Sequence, residues 1–98
     1  MVILVKIKVT LLGVFRGFSG KSEVSLKLKQ PTVRDAIGIL TESLPQQARK
    51  LLVDQYLDDP RPNVLILLNG KEIGVLKGLE TTLKDGDRLT IIPVAHGG

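Results

Sequence analysis

Val5, Ile7, Val9 and Leu11 alternate with Lys6, Lys8 and Thr10. A period of two marks a strand with one buried face and one wet face. The same alternation returns where Val24, Leu26 and Leu28 interleave with Ser25, Lys27 and Lys29. Two such strands make a sheet with a lysine-bearing outer face and an apolar inner face that another layer must cover. Lys6, Lys8, Lys27 and Lys29 are expected to share that outer face, as a solvated surface or as a site for an acidic partner. The stretch Gly13–Gly20 between the strands carries three glycines and reads as a long loop, so the strands should pair antiparallel.

The covering layer is legible next. Thr32 is placed to cap a helix, with Asp35 three residues on. Val33, Ala36, Ile37, Leu40 and Leu44 then recur on one helical face, and Pro45 ends the run. A second helical stretch from Gln46 to about Asp54 offers Ala48, Leu51 and Leu52 to the same core. Asp58–Asn63 is a polar, proline-containing loop, and its adjacent carboxylates Asp58 and Asp59 read as loop polarity rather than a cation site.

Val64, Leu65, Ile66, Leu67 and Leu68 are apolar at every position, and Asn69-Gly70 follows, a strong signal for a tight hairpin. Lys71–Val75 should return as a short strand. Gly78–Leu83 reads as an irregular connection with one helical turn, Asp85-Gly86 as a turn, and Asp87–Pro93 as the last strand. In that strand Leu89 and Ile91 face one way, and Arg88, Thr90 and Ile92 the other. The order implies an α+β domain over residues 1–93, with a flexible tail at 94–98. It is a β-grasp arrangement: a mixed sheet of four to five strands, first and last side by side, with one main helix packed on one face. Only one alternate set of Val64–Leu68 can meet the helix. The other set, with Ile92, would form an apolar docking patch on the open face; which set that is stays open at this stage.

The 98 residues contain no cysteine and one histidine, His96. Disulfides, cysteine nucleophiles and zinc–cysteine sites are thereby excluded from this chain, as is a cluster of histidine ligands; no metal site is expected. Cysteine usage fits a cytoplasmic protein. No apolar run approaches the roughly 18 residues of a membrane span. The net charge of +4 is mild, and three aromatic residues provide no stacking platform, which disfavours nucleic acid as a partner. Ser19-Gly20-Lys21-Ser22 lacks the glycine spacing of a phosphate loop.

The sequence closes on Gly97-Gly98. Without a Cβ, such a pair can lie in a narrow tunnel and leave a terminal carboxylate open to attack. Chance places two glycines there about once in 200 chains, so the tail gains weight only because the rest of the chain agrees with it. It does. Leu68-Asn-Gly-Lys-Glu-Ile73, Leu83-Lys-Asp-Gly-Asp87 and Ile91-Ile-Pro-Val-Ala-His-Gly-Gly98, with Phe15-Arg16 and Gly20-Lys21 earlier, resemble the ubiquitin-like sulfur carriers. These comprise the MoaD and ThiS families, the ubiquitin-related modifier and the small archaeal ubiquitin-like modifiers. The body resembles MoaD. Val94 stands where a second proline is usual, and the His96-Gly97-Gly98 end is more similar to the ubiquitin-related modifier. Extra length near Gln46–Arg61 sets the chain furthest from ThiS.

The resemblance implies that a partner activating enzyme adenylates the Gly98 carboxylate with ATP. The acyl-adenylate then passes to sulfur, giving a thiocarboxylate, or to a lysine of a target protein. Gly98 would be the reacting residue. Pro93, Val94, Ala95, His96 and Gly97 would be read as the tail, His96 by a partner groove rather than as an acid or base. This chain would bind no cofactor and have no independent catalytic site, acting at most as the small subunit of a molybdopterin synthase-like sulfurtransferase. The large subunit of such a synthase is then a further expected partner, and tRNA thiolation another destination for the sulfur. A protein modifier and an inert binding module are the alternatives.

Overall fold

The computed structural model describes residues 3–54 and 58–94. Strands β1 (Val5–Leu11), β2 (Glu23–Leu28), β3 (Val64–Leu68), β4 (Lys71–Glu72) and β5 (Arg88–Pro93) form one mixed sheet in the order β2-β1-β5-β3-β4. The first and last strands lie side by side and parallel, with Lys8 opposite Arg88 and Leu11 opposite Ile91. The remaining pairs are antiparallel. Helices α1 (Val14–Ser19), α2 (Val33–Ser43) and α3 (Gln46–Leu52) complete the β-grasp.

Alternation sets the layers. Ile7, Val9 and Leu11 of β1, Leu26 and Leu28 of β2, and Leu89 and Ile91 of β5 are buried, and so are Val33, Ala36, Ile37 and Leu40 of α2. The α2 N-terminus is capped as the sequence suggests: the Asp35 N–H donates to Thr32 Oγ1 at 3.2 Å. Its C-terminal carbonyls, which the helix itself leaves without donors, receive the Arg49 guanidinium. Arg49 Nε donates to Leu44 O and Nη2 to Glu42 O, both at 3.0 Å. Pro45 thus ends one helix and its carbonyl starts the next, accepting from the Ala48 and Arg49 N–H groups.

Three local expectations are corrected. The Gly13–Gly20 stretch is not a plain loop but contains α1. Glycine lowers helix propensity, yet burial of Phe15 (1% exposed) holds the turn in place, and Gly20 closes it with φ 71°. Leu51 is 45% exposed, because α3 turns only Ala48 and Leu52, four residues apart, towards the core. The return strand stops at Glu72, whose carboxylate accepts from the Gly74 N–H at 2.6 Å and starts a 3-10 turn at Ile73–Val75. The Asn69-Gly70 turn itself forms as expected, both residues having positive φ.

That turn and the Asp85-Gly86-Asp87 turn are one hydrogen-bonded unit. Asn69 Nδ2 donates to Asp87 Oδ1 at 3.0 Å, while Asn69 Oδ1 accepts from the Arg88 N–H at 2.9 Å. Asp87 Oδ2 accepts from the Lys84 N–H, and Asp85 Oδ1 from the Lys6 N–H at 2.7 Å. The side chains therefore pin the start of β5 to both of its neighbours.

A loop-borne Phe15 would tolerate truncation; a core-filling one would not. Phe15→Ala is expected to cost about 3–5 kcal/mol, read by urea denaturation, and a loss under about 1 kcal/mol would return α1 to the status of a surface loop.

Candidate functional site at the end of β5

β5 delivers the chain to the tail, and its last residues are held firmly. Pro93 lies opposite Val64 in the β3 register, and the Val94 N–H donates to Asn63 O at 3.0 Å. Strand alternation turns the Pro93 nitrogen to the other side, towards β1. There β1 has already ended at Leu11, so the missing donor costs no ladder bond. Gly13 fills the space instead. It has φ 59°, and a Cβ placed on it would stand 2.8 Å from Pro93 Cγ. A glycine is thus required here both by backbone angle and by the close approach of the proline ring.

The surroundings of Pro93 and Val94 are apolar on the open face and mostly apolar on the helical side, where Lys50 and Asn63 also take part. On the open face, Leu65 pairs with Ile92 and Leu67 with Thr90. Leu12 continues the outward set of β1 and lies beside Ile92, its N–H donating to Ile91 O at 3.3 Å. Leu12 is 39% exposed and Leu65 36%. On the helical side, a cavity of about 160 Å³ is lined by Val14, Phe15, Lys50, Leu51, Asn63, Pro93 and Val94.

This geometry decides between the two sets of β3. Val64, Ile66 and Leu68 are buried under the helices, so they cannot serve as docking residues. Leu65, Leu67 and Ile92 remain on the open face. The sequence reading missed Leu12, Val14 and Leu51. For Leu12 a signal existed, since extending the β1 alternation by one residue past the buried Leu11 places it outward. Val14 and Leu51 carried none, because one lay in an unread helix and the other in an ambiguous one. Ala95, His96, Gly97 and Gly98 lie outside the described residues.

The opposite end of the open face is polar. Lys6, Lys8, Lys27 and Lys29 are exposed there. Glu23 accepts from Arg88 Nη1 at 2.6 Å and lies 3.7 Å from Lys8 Nζ; the same Arg88 Nη1 donates to Thr10 Oγ1 at 2.8 Å. The Arg88 hydrogen bond holds the Glu23 carboxyl below its ordinary value. This contact therefore stabilises the fold above the usual carboxylate range and is lost as pH falls through the lowered value. In the Asp58–Asn63 loop the Arg61 guanidinium bonds both Asp59 oxygens and lowers that carboxyl likewise. Among the described residues no three His, Asp or Glu side chains converge as metal ligands, and no helix is long and apolar enough to cross a membrane.

The Gly13–Pro93 contact makes a sharp expectation. Gly13→Val combines a positive φ with a steric clash, and should cost about 1–3 kcal/mol while shifting the Val94 amide resonance. An unchanged Tm and spectrum would show that the end of β5 does not depend on this contact.

The model of the ThiS family matches residues 9–98, running through the Gln46–Arg61 stretch. Small archaeal modifier protein 3 of Haloferax volcanii is 31% identical over 85 residues, covering 86% of this chain and 89% of the relative. A putative sulfur carrier protein of Archaeoglobus fulgidus is 26% identical over 78 residues, covering 80% and 86%. Among solved structures, small archaeal modifier protein 1 from Methanosarcina acetivorans superposes with a TM-score of 0.81 at 30% identity, covering 98% of this chain and 99% of that one.

Proposed function

The chain belongs to the ThiS family, and on that premise we propose that it is a sulfur carrier of the MoaD-like kind, working through the carboxylate of Gly98. A carboxylate is a poor electrophile until one oxygen becomes a good leaving group. A partner activating enzyme supplies this. A Gly98 oxygen attacks the α-phosphorus of ATP, forming an acyl-adenylate and releasing pyrophosphate. A hydrosulfide equivalent then attacks the carbonyl carbon; the C–S bond forms, the bond to AMP breaks, and a proton is released with the thiocarboxylate. The nucleotide site and its metal belong to the partner. This chain contributes the acyl group, the tail Pro93–Gly97 that the partner reads, and a docking face. Molybdopterin assembly, with a large synthase subunit as acceptor partner, is the favoured destination of the sulfur; a cytoplasmic setting, where ATP is at hand, goes with it.

The observation that carries this reading is the apolar collar of Leu12, Leu65, Ile92, Val14 and Leu51 around Pro93–Val94, which the Asn63 hydrogen bond and the Gly13 contact hold on the sheet just ahead of the tail. An inert module has no need of it, since exposed apolar surface beside a chain end invites aggregation unless a partner covers it.

A second reading is favoured by the likeness to an archaeal modifier. There a lysine amine attacks the same acyl-adenylate, AMP leaves, and an isopeptide bond results. Intact-mass measurement after incubation with the cognate activating enzyme, ATP and a sulfide source separates the two. One oxygen replaced by sulfur is the expected product; adducts to other proteins would assign the modifier role instead. Deleting Gly98 should abolish either product without changing Tm, and sulfur loading that survives the deletion would overturn the mechanism.

Leu65→Glu tests the collar. It should leave Tm within about 4 °C, the range of surface changes in a domain of this size, yet weaken the complex with the activating enzyme at least about tenfold, measured by calorimetry.

A further inference from the structure

The basic end of the open face sets two like charges against each other. Lys6 and Lys27 stand directly opposite each other across β1 and β2. Like charges so placed in antiparallel strands are destabilising. Glu23 answers Arg88 and Lys8, while among the described residues no carboxylate forms an ion pair with Lys6 or Lys27. The Asp85 carboxylate borders the trough and accepts the Lys6 backbone N–H through Oδ1, so it offsets part of the charge there without bridging the two lysine side chains. Lys6, Lys8, Lys27 and Arg88, with Ser25 and Asp85, border an open trough of about 550 Å³. A simple solvated strand face would carry a threonine or a glutamate opposite one of these lysines at no loss.

We propose that this trough docks an acidic segment of a protein partner, with one carboxylate seated between Lys6 and Lys27, beside the Glu23-bridged Lys8 and Arg88. The charge complementarity is local: the seat is the cross-strand pair Lys6 and Lys27. Nucleic acid fits less well. Among the described residues no aromatic borders the trough to stack a base, and Glu23 and Asp85 flank the cations where a phosphate chain would run on. The site is independent of tail activation. Strand β5 carries Arg88 at one end and Ile92 at the other, so the trough and the collar lie on one face.

The test uses the full-length protein, isotopically labelled and titrated with oligoglutamate at low salt. Expected are shifts concentrated on Lys6, Lys8, Lys27 and Arg88, unchanged by deletion of Gly98. Lys27→Glu should weaken the affinity about tenfold. The same substitution should raise Tm by about 1–5 °C, because it replaces a repulsive cross-strand pair by an attractive one. Shifts scattered away from the trough, equal affinity of Lys27→Glu, or tighter binding of single-stranded RNA to the same residues would each overturn the proposal. A fall in Tm of Lys27→Glu would overturn the conflict on which it is built.

Discussion

The parallel pairing of β1 with β5 is the constraint from which the other features descend. It joins residues 8–11 to residues 88–91, nearly the full length of the chain apart. Parallel strands cannot be joined by a tight turn, so everything between them is in effect one long crossover. That crossover contains the helices that cover the sheet and the hairpin that flanks β5. Loop closure of this span must be met before its contacts give anything back. The hydrogen bonds from Asp85, Asp87 and Asn69 therefore matter beyond their number. They fix the starting register of β5 on both sides, and a one-residue slip there would turn Leu89 and Ile91 to water and Arg88 inward.

Much of this was readable because strand alternation is unambiguous when lysines hold the wet face. β1 and β2 declare their inner and outer residues outright, and α2 declares its cap and its stripe. Val64–Leu68 could not be oriented from sequence, since apolar residues occupy both faces; its orientation comes from pairing with β5, a partner more than twenty residues away. α1 was hidden by its glycines. Its existence follows from Phe15 filling the core, a tertiary fact that overrides local propensity. Leu51 was misplaced because a seven-residue helix lets Ala48, Leu51 and Leu52 all pass as one face. Of the candidate site, Ile92, Leu65 and Leu67 were foreseen as one of two options. The helical side of the collar, Val14 and Leu51, came only from packing.

The open face thus has two chemically distinct ends on one strand. Around Arg88 it is cationic and hydrogen-bonded; around Ile92 it is apolar and leads into Pro93 and Val94. A partner that engages both ends is oriented by them, since reversing it would set carboxylates on leucine and apolar side chains on lysine. Electrostatics of this kind contributes register and encounter rate more than raw affinity.

Gly13 and Asn63 hold Pro93 and Val94 at a fixed place on the sheet, and that anchoring makes β5 a ruler. Three residues lie between Val94 and Gly98, and the four backbone steps span at most about 14 Å when fully drawn out. Any catalytic centre that receives Gly98 must therefore open within that radius of the collar. Under the proposed function, that length bounds how deep a partner's tunnel can lie.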